Sequence, residues 1–293
     1  MRIIRFVHEG SIQLAAVNDS DQIFALPQSD FLALIKEADD REISPLQLVC
    51  ITIENSKALS FNVDQLQLLV PIEAPEVWAA GVTYERSRDA RNYEATDGRL
   101  DAATFYDKVY DAVRPEIFFK STAARTVGPG GNVQLRSDSV WQVPEPELGL
   151  VLNANGEITG YTIGNDMSCR DIEGENPLYL PQAKVWKRSC SLGPAIRLAE
   201  TVDNPYNLQI ASRIYRNGQL AVEGTANTSQ LKRKLEELTE FLMRDNELFD
   251  GTVLLTGTCI VPPNEFTLAH GDRIEIEISG IGTLVNQVIG AGS

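Results

Sequence analysis

The stretch most informative about the fold is VPEPELGLVLNANGEITGYTIGNDMSCRD, residues 143–171. It holds two alternating apolar runs on either side of Asn155-Gly156. An Asn-Gly pair between such runs is a strong signal for a β-hairpin with a two-residue turn. Counting back from that turn along both strands places Glu145 opposite Asp166. Directly opposed residues share a face of the sheet, so we expect these two carboxylates to meet at the open end of the hairpin.

A third carboxylate joins this pair. Glu147 lies two residues from Glu145 and therefore points to the same face of its strand. Like charges that oppose each other on a sheet destabilise it, so a hard cation with oxygen ligands is the natural compensation. Because the cluster holds no histidine or cysteine, we expect Mg²⁺, with Mn²⁺ and Ca²⁺ as alternatives, rather than zinc. The competing interpretation is a solvated strand face, which is the commoner origin of a Glu-x-Glu pattern.

Two lysines stand at the edges of apolar segments rather than in charge runs. Lys120 ends the apolar run EIFFK, and Lys184 follows LPQA. Lysines in such places are candidates for a cleft in which the pKa is shifted. Taken singly, each is more often a surface lysine whose stem packs on apolar neighbours.

The chain divides near residue 73. Residues 1–73 predict a small α/β unit of short strands and one or two helices, with Ser29 as the cap of the helix in QSDFLALIKEA. Pro71 and Pro75 mark the boundary, since prolines flanking a polar stretch are typical of a connection. Residues 74–293 predict a larger, mainly β domain, because short β-like runs recur through it.

Helical patterns interrupt those runs in two places. One helix is expected within residues 85–113, broken at Asp97-Gly98. The other is expected in TSQLKRKLEELTEFLMRDN, residues 228–246, whose leucines form an apolar stripe at helical spacing: Leu231, Leu235, Leu238 and Leu242. The fold class predicted from these patterns is α+β, mainly β.

Composition narrows the class of partner. The 26 Lys and Arg against 41 Asp and Glu give a net charge of -15, which disfavours nucleic acid and anionic membranes. The first residues alternate like a strand and lack the features of a signal peptide, and no apolar run is long enough to span a bilayer. Four scattered cysteines without a C-x-x-C pair favour reduced thiols. We therefore expect a cytoplasmic protein with a small-molecule substrate.

The motifs, taken together and in order, resemble the fumarylacetoacetate hydrolase family. The segments that carry the resemblance are GVTY (81–84), PEIFFK (115–120), EPEL (145–148), GYTIGNDMSCRD (160–171), KVWKRSCSLGP (184–194) and DGTVLLTGTCIVP (250–262). The resemblance implies a mixed β-roll catalytic domain and a homo-oligomer, dimer or tetramer. It also implies Mg²⁺ on Glu145, Glu147 and Asp166, with Lys184 beside the metal and Thr258 near the substrate carboxylate.

One departure from the hydrolases concerns the chemistry. Those enzymes carry a histidine shortly after the motif Gly-x-Asn-Tyr, where it activates water for C–C cleavage. Here the segment is GVTYERSRDAR, with Ser87 where that histidine would fall, and the chain has two histidines, His8 and His270, in other segments. The segments YDKVYDAVRPEIFFK, ENPLYLPQAK and IGTLV instead look like the sugar-acid dehydratase branch.

That branch implies the dehydration of 2-dehydro-3-deoxy-D-arabonate, a 2-keto-3-deoxy sugar acid, to 2,5-dioxopentanoate. The base that removes the C3 proton is expected to be Lys184 or Glu116. The expected substrate-binding residues are Tyr84, Ser87, Arg88, Lys120 and Thr258. The alternative is hydrolysis or decarboxylation of a diketo acid, such as an acylpyruvate, at the same metal site.

Overall fold

The computed structural model describes residues 1–96 and 105–291. Over these residues the fold is α+β and mainly β, as the sequence predicts. A long mixed sheet and a five-stranded sheet carry most of the chain, and short helices cover them.

The elements are as follows. The strands are β1 (Arg2–His8), β2 (Ser11–Val17), β3 (Ile23–Leu26), β4 (Gln67–Leu68), β5 (Val77–Gly81), β6 (Glu116–Ser121), β7 (Thr126–Val127), β8 (Asn132–Gln134), β9 (Gln142–Val143), β10 (Pro146–Leu152), β11 (Ile158–Asp166), β12 (Ser168–Cys169), β13 (Cys190–Leu198), β14 (Gln209–Arg216), β15 (Gln219–Asn227), β16 (Thr252–Leu255), β17 (Arg273–Ile278) and β18 (Gly282–Ile289). The α-helices are α1 (Phe31–Asp40), α2 (Pro45–Ile53), α3 (Glu85–Thr96), α4 (Phe105–Asp111), α5 (Arg170–Glu175), α6 (Leu180–Lys184) and α7 (Leu235–Met243).

The long sheet runs through both predicted units. Its strand order is β3-β2-β1-β13-β11-β10-β16-β5-β6, with β4 beside β1 and β7 beside β13. The join is the antiparallel pairing of Arg2 with Arg197 and of Ile3 with Ile196. The division at residue 73 stays a prediction, but the sheet itself is continuous across it.

One apolar core also crosses that division. Leu34, on α1, belongs to the same buried cluster as Val77, Val151 and Val253 of the larger unit. A second cluster lies between the long sheet and the five-stranded sheet, whose order is β15-β14-β17-β18-β8. Burial of these side chains, at about 25 cal/mol per Å² of apolar surface, is the main favourable term that holds the layers together.

The β10–β11 hairpin has the predicted register at its open end, but its turn differs from the predicted one. Pro146 pairs with Asn165, and the backbone N–H of Asp166 donates to the carbonyl of Glu145 at 3.0 Å, so Glu145 and Asp166 are opposed. The expectation of a two-residue turn was wrong. The loop has three residues, and a bulge on β11 at Thr159 adds the one residue that restores the register.

The predicted helices exist with shifted ends. Asp30, not Ser29, caps α1, because its side chain accepts the backbone N–H of Ala33 at 2.8 Å. The last predicted helix is shorter than the leucine spacing suggested, since α7 begins at Leu235 and leaves Leu231 outside it. The break expected at Asp97-Gly98 lies outside the described residues, between α3 and α4.

Two further observations concern the chain as a whole. In residues 1–96 and 105–291, no helix is long and apolar enough to cross a membrane. All four cysteines are free, and Cys50 is the exposed one.

The shared core predicts that damage in the N-terminal unit destabilises the larger unit. All three tryptophans (Trp78, Trp141, Trp186) lie beyond residue 73, so tryptophan fluorescence reports on the larger unit alone. Leu34→Ala should lower the free energy of unfolding by about 2–5 kcal/mol, and the fluorescence-detected urea midpoint should fall with it. Ile51→Ala, at an exposed position of α2, is the control. An unchanged fluorescence midpoint in Leu34→Ala would mean that the two units unfold independently.

Candidate active site

Three buried carboxylates meet at the open end of the β10–β11 hairpin. Glu145 directly precedes β10, Glu147 lies in it and Asp166 ends β11, and one carboxylate oxygen from each lies within 4.8 Å of the others. All three side chains are buried, which rules out the competing interpretation of a solvated strand face. The geometry and the oxygen-only donor set therefore fit a hard divalent cation.

Buried cations compensate part of this negative charge. Lys184, at the end of α6, forms an ion pair with Glu145 and lies 3.5 Å from Asp166 Oδ2. Arg170 Nη2 lies 2.6 Å from Glu145 Oε1, and Lys120 Nζ lies 2.6 Å from Asp166 Oδ1. An unpaired charge in such a place would be costly, so each carboxylate needs a partner.

These ion pairs leave carboxylate oxygens of Asp166 without a hydrogen bond. Neither oxygen of Asp166 accepts a well-directed hydrogen bond, although the lysine ammonium groups lie close to both. Burial, followed by the negative charges of Asp166 and Glu145, raises the pKa of Glu147 well above its ordinary value. A bound dication would relieve this repulsion, which is a second reason why the residues fit a metal.

Glu147 is also fixed by the backbone of the loop after β16. The amide of Gly257 donates to Glu147 Oε2 at 2.7 Å. Gly257 has a φ of +94°, and a Cβ there would lie 1.9 Å from Thr83 Oγ1, so no other residue fits without movement. Thr258 follows directly and is buried, and its hydroxyl donates to the carbonyl of Ile260 at 3.1 Å.

The GVTY segment connects β5 to α3 through a strained residue. Val82 has a φ of +53°, a conformation that β-branched residues rarely adopt and that is typical of functional turns. Two residues on, the Tyr84 side chain is buried, and its hydroxyl has no hydrogen-bond partner among the described residues. Burial raises the pKa of Tyr84 well above its ordinary value, and Cys259 and Glu147 add to this. Tyr84 is one of the residues that line a cavity of about 490 Å³.

The structure places Ser87 and Arg88 in the first turn of α3. The Ser87 hydroxyl donates to the carbonyl of Tyr84 at 2.8 Å and accepts the Tyr84 amide at 3.3 Å, so it closes the turn that leads into the helix. Arg88 pairs with Glu85 and Asp89 at 3.2 and 2.7 Å. Neither side chain is among those that contact the three carboxylates.

Glu116, the first residue of β6, lies near the charges of Lys184 and Glu145. Its Oε2 is buried without a hydrogen-bond partner, and a Cβ on Gly81 would lie 1.8 Å from this atom, so the glycine of GVTY makes the space that Glu116 occupies. Burial raises the pKa of Glu116, opposed by Arg91 and reinforced by Glu173. Glu116, Arg91 and Glu173 line a cavity of about 520 Å³, together with Arg114.

Other features lie away from this cluster. The His8 ring lies 5.0 Å from the Phe61 ring, centroid to centroid. His270 is exposed and accepts a hydrogen bond from the amide of Gly290 at 3.1 Å, so neither histidine belongs to the site. A cavity of about 710 Å³ opens between the N-terminal strands and the Pro129–Gly130 turn, and its lining holds none of the predicted site residues.

Three site residues were not assigned from the sequence. Arg170 lies inside the motif GYTIGNDMSCRD but had no predicted role, although its guanidinium contacts Glu145. Glu173, one helical turn further along α5, lies 3.0 Å from Lys184 Nζ. Arg91 reaches the same glutamate from α3, 3.2 Å away. The spacing of Arg170 and Glu173 on one helix face is the signal that could have found two of them.

The chain is similar to known proteins over most of its length. The model of the fumarylacetoacetate (FAA) hydrolase C-terminal family matches residues 86–289. A 2-dehydro-3-deoxy-D-arabinonate dehydratase of Saccharolobus solfataricus is 43% identical over 288 residues, which cover 98% of this chain and 96% of that protein. A Haloferax volcanii protein named "Probable 2-keto-3-deoxyxylonate dehydratase" is 50% identical over 219 residues, 75% of this chain and 74% of that one.

A solved structure is similar along the whole chain. It is 2-keto-3-deoxy-D-arabinonate dehydratase complexed with magnesium and 2,5-dioxopentanoate, with a TM-score of 0.83, 39% identity and full coverage of both chains. The resemblance inferred from the motifs is thus confirmed in both sequence and fold. The chain belongs to the fumarylacetoacetate hydrolase family.

Proposed function

We propose that this chain is a Mg²⁺-dependent hydro-lyase that converts 2-dehydro-3-deoxy-D-arabonate to 2,5-dioxopentanoate and water. The observation that carries the proposal is the buried trio Glu145, Glu147 and Asp166 with Lys184 beside it, in a chain whose histidines both lie elsewhere. Dehydratase relatives in both comparisons support the same reaction class.

The missing histidine separates this reaction from C–C hydrolysis. Ser87, which stands at that place, has its hydroxyl bonded to the backbone of Tyr84 and is not available as a base for water. Elimination of a C4 hydroxyl needs no activated water, because water is the leaving group. The site therefore suits a lyase better than a hydrolase.

The chemistry divides between the cation and the side chains. A divalent cation held by the trio would polarise the C2 carbonyl of a 2-oxo acid and so acidify the C3 protons. Lys184 or Glu116 removes a C3 proton, and the other group supplies a proton to the departing C4 hydroxyl. A proton then moves from C5 to C3 of the resulting unsaturated acid and gives the C4–C5 enol. Transfer of the enol hydroxyl proton to C4 gives 2,5-dioxopentanoate, and the net change is loss of one water.

The same proposal assigns substrate contacts. Tyr84 has a buried, unsatisfied hydroxyl, which suits a substrate oxygen. Thr258 would act near the substrate carboxylate. Ser87 and Arg88 would act at the N-terminal end of α3, where Ser87 shapes the turn that leads into the helix. Lys120 donates to the carbonyls of Met167 and Lys184, so we expect it to act on the substrate indirectly, through Asp166.

We also propose that the protein is cytoplasmic and forms a dimer or tetramer. Free cysteines support the first statement. Exposed Val113 and Leu178, 84% and 83% accessible in the single chain, support the second, because such large apolar side chains are commonly covered by another subunit. Mn²⁺ and Ca²⁺ remain alternatives to Mg²⁺, since all three accept carboxylate oxygens.

The reaction is tested by product analysis. Purified protein with Mg²⁺ is incubated with a panel of 3-deoxy-2-oxo sugar acids and acylpyruvates, and products are identified by mass spectrometry. We expect loss of one water from 2-dehydro-3-deoxy-D-arabonate and abolition of turnover by EDTA. Cleavage of an acylpyruvate to pyruvate and an acid, without dehydration of any sugar acid, would establish the hydrolase alternative instead.

The metal site is tested by Glu147→Gln, which keeps the side chain's shape and an acceptor for the Gly257 amide but removes one ligand charge. Metal-dependent turnover should fall on the order of 100-fold or more, since even groups that only orient metal ligands contribute 10–100-fold. Glu223→Gln, an exposed glutamate on β15, is the charge-matched control and should keep full activity. Full activity in Glu147→Gln would refute the assignment.

The base is identified by hydrogen exchange at C3. With 2-oxopentanoate, which has no C4 hydroxyl to lose, only proton abstraction can occur, and NMR in D₂O follows it. One of the variants Lys184→Met and Glu116→Gln should lose exchange about 100-fold or more, because that is the usual contribution of a positioned base. The other should retain exchange yet fail to dehydrate the substrate. Retention of exchange in both variants would exclude both residues as the base.

A further inference from the structure

Lys184 contacts three carboxylates, of which one is not a proposed metal ligand. Its ammonium pairs with Glu145, lies 3.5 Å from Asp166 Oδ2 and lies 3.0 Å from Glu173 Oε1. Glu145 and Asp166 belong to the trio, whereas Glu173 comes from α5 and is not part of the trio.

Glu173 is held firmly in this place. Arg91 Nε lies 3.2 Å from its Oε2, and the Ser168 hydroxyl donates to its Oε1 at 2.9 Å. The side chain is fully buried. Burial alone would raise the pKa of Glu173, but the positive charges of Arg91, Lys184 and Arg170 together lower it to about 2. Glu173 is therefore a fixed negative charge.

A dication at the trio changes the balance of forces on Lys184. It would draw the lone pairs of Glu145 and Asp166 toward itself, and its charge would repel the nearby ammonium group. In a buried site such repulsion is screened poorly, so Lys184 needs an anion that the cation does not use. Glu173 is already within hydrogen-bonding distance.

We propose that Glu173, held by Arg91, is the positioning residue that keeps Lys184 beside the trio when a divalent cation occupies it. Without metal Lys184 pairs with Glu145, a carboxylate that an entering cation needs, and Glu173 gives the ammonium a second anionic partner. This inference rests on the proposed function, because it requires that the trio binds a divalent cation.

Arg91 connects this arrangement to α3, the helix that carries the proposed substrate-binding residues Ser87 and Arg88. It lies on α3, the helix that follows the GVTY segment, and it pairs with the glutamate oxygen turned away from the lysine. Its charge thereby fixes the rotation of the Glu173 carboxylate, so that Oε1 faces Lys184. The position of α3 is thus coupled to the position of the lysine through one buried glutamate.

The test is Mg²⁺ affinity, measured by titration calorimetry without substrate. Glu173→Gln should weaken Mg²⁺ binding about tenfold, because Lys184 then stays on Glu145 and Asp166 and opposes the cation. Glu175→Gln, two residues along the same helix and exposed, is the matched control and should bind within about twofold of wild type. If Glu173→Gln does not fold, Glu173→Asp keeps the charge for Arg91 but shortens the reach to Lys184.

A double-mutant cycle separates positioning from simple loss of negative charge. In a Lys184→Met background the effect of Glu173→Gln on Mg²⁺ affinity should disappear, because the residue that it positions is gone. An equal weakening in both backgrounds would overturn the inference, and so would identical behaviour of Glu173→Gln and Glu175→Gln. If wild type shows no saturable Mg²⁺ binding, both the proposed metal site and this inference are refuted. If wild type binds Mg²⁺ and Glu147→Gln does not, the metal site is supported and the experiment tests the inference alone.

Discussion

The burial of three carboxylates at one end of a hairpin is the constraint on which the rest of the site depends. Bringing Glu145, Glu147 and Asp166 out of water costs several kcal/mol for each ion unless opposite charge is supplied. The backbone fixes where the carboxylates are, because all three stand in or next to paired strands. Everything else around them can be understood as a supply of positive charge or of hydrogen-bond donors.

That supply comes from elements scattered along the chain. Lys120 lies at the bulge near the end of β6, Arg170 opens α5 and Lys184 ends α6, and each contacts a carboxylate of the trio. A rigid sheet sets the negative charges, while short helices and strand ends set the positive ones. This division suits a site in which a cation enters, since the carboxylates stay in place while the lysine changes partners.

The features that the sequence predicted best are those that depend on the alternation of side chains along a β-strand. The register of β10 and β11 follows from alternation, so the convergence of Glu145 and Asp166 could be derived, and even the wrong turn length did not harm it because the bulge at Thr159 corrected the count. Helix ends were less predictable, since Asp30 and Ser29 are both good caps and only geometry selects one. The roles of Arg91 and Glu173 could not be derived, because their contact joins two helices far apart in the chain.

The continuous sheet has a consequence for how the chain is made. Strand β1 forms a hairpin with β2, and β4 pairs with Phe6 and Val7 on its other edge. The rest of that edge pairs with β13, which begins only at Cys190. During synthesis this part of the β1 edge therefore stays unpaired until β13 has been made, and such edges are prone to pair with other chains. The final closure of this sheet is a long-range event, so it belongs to the slow steps of folding and to those that benefit from a chaperone.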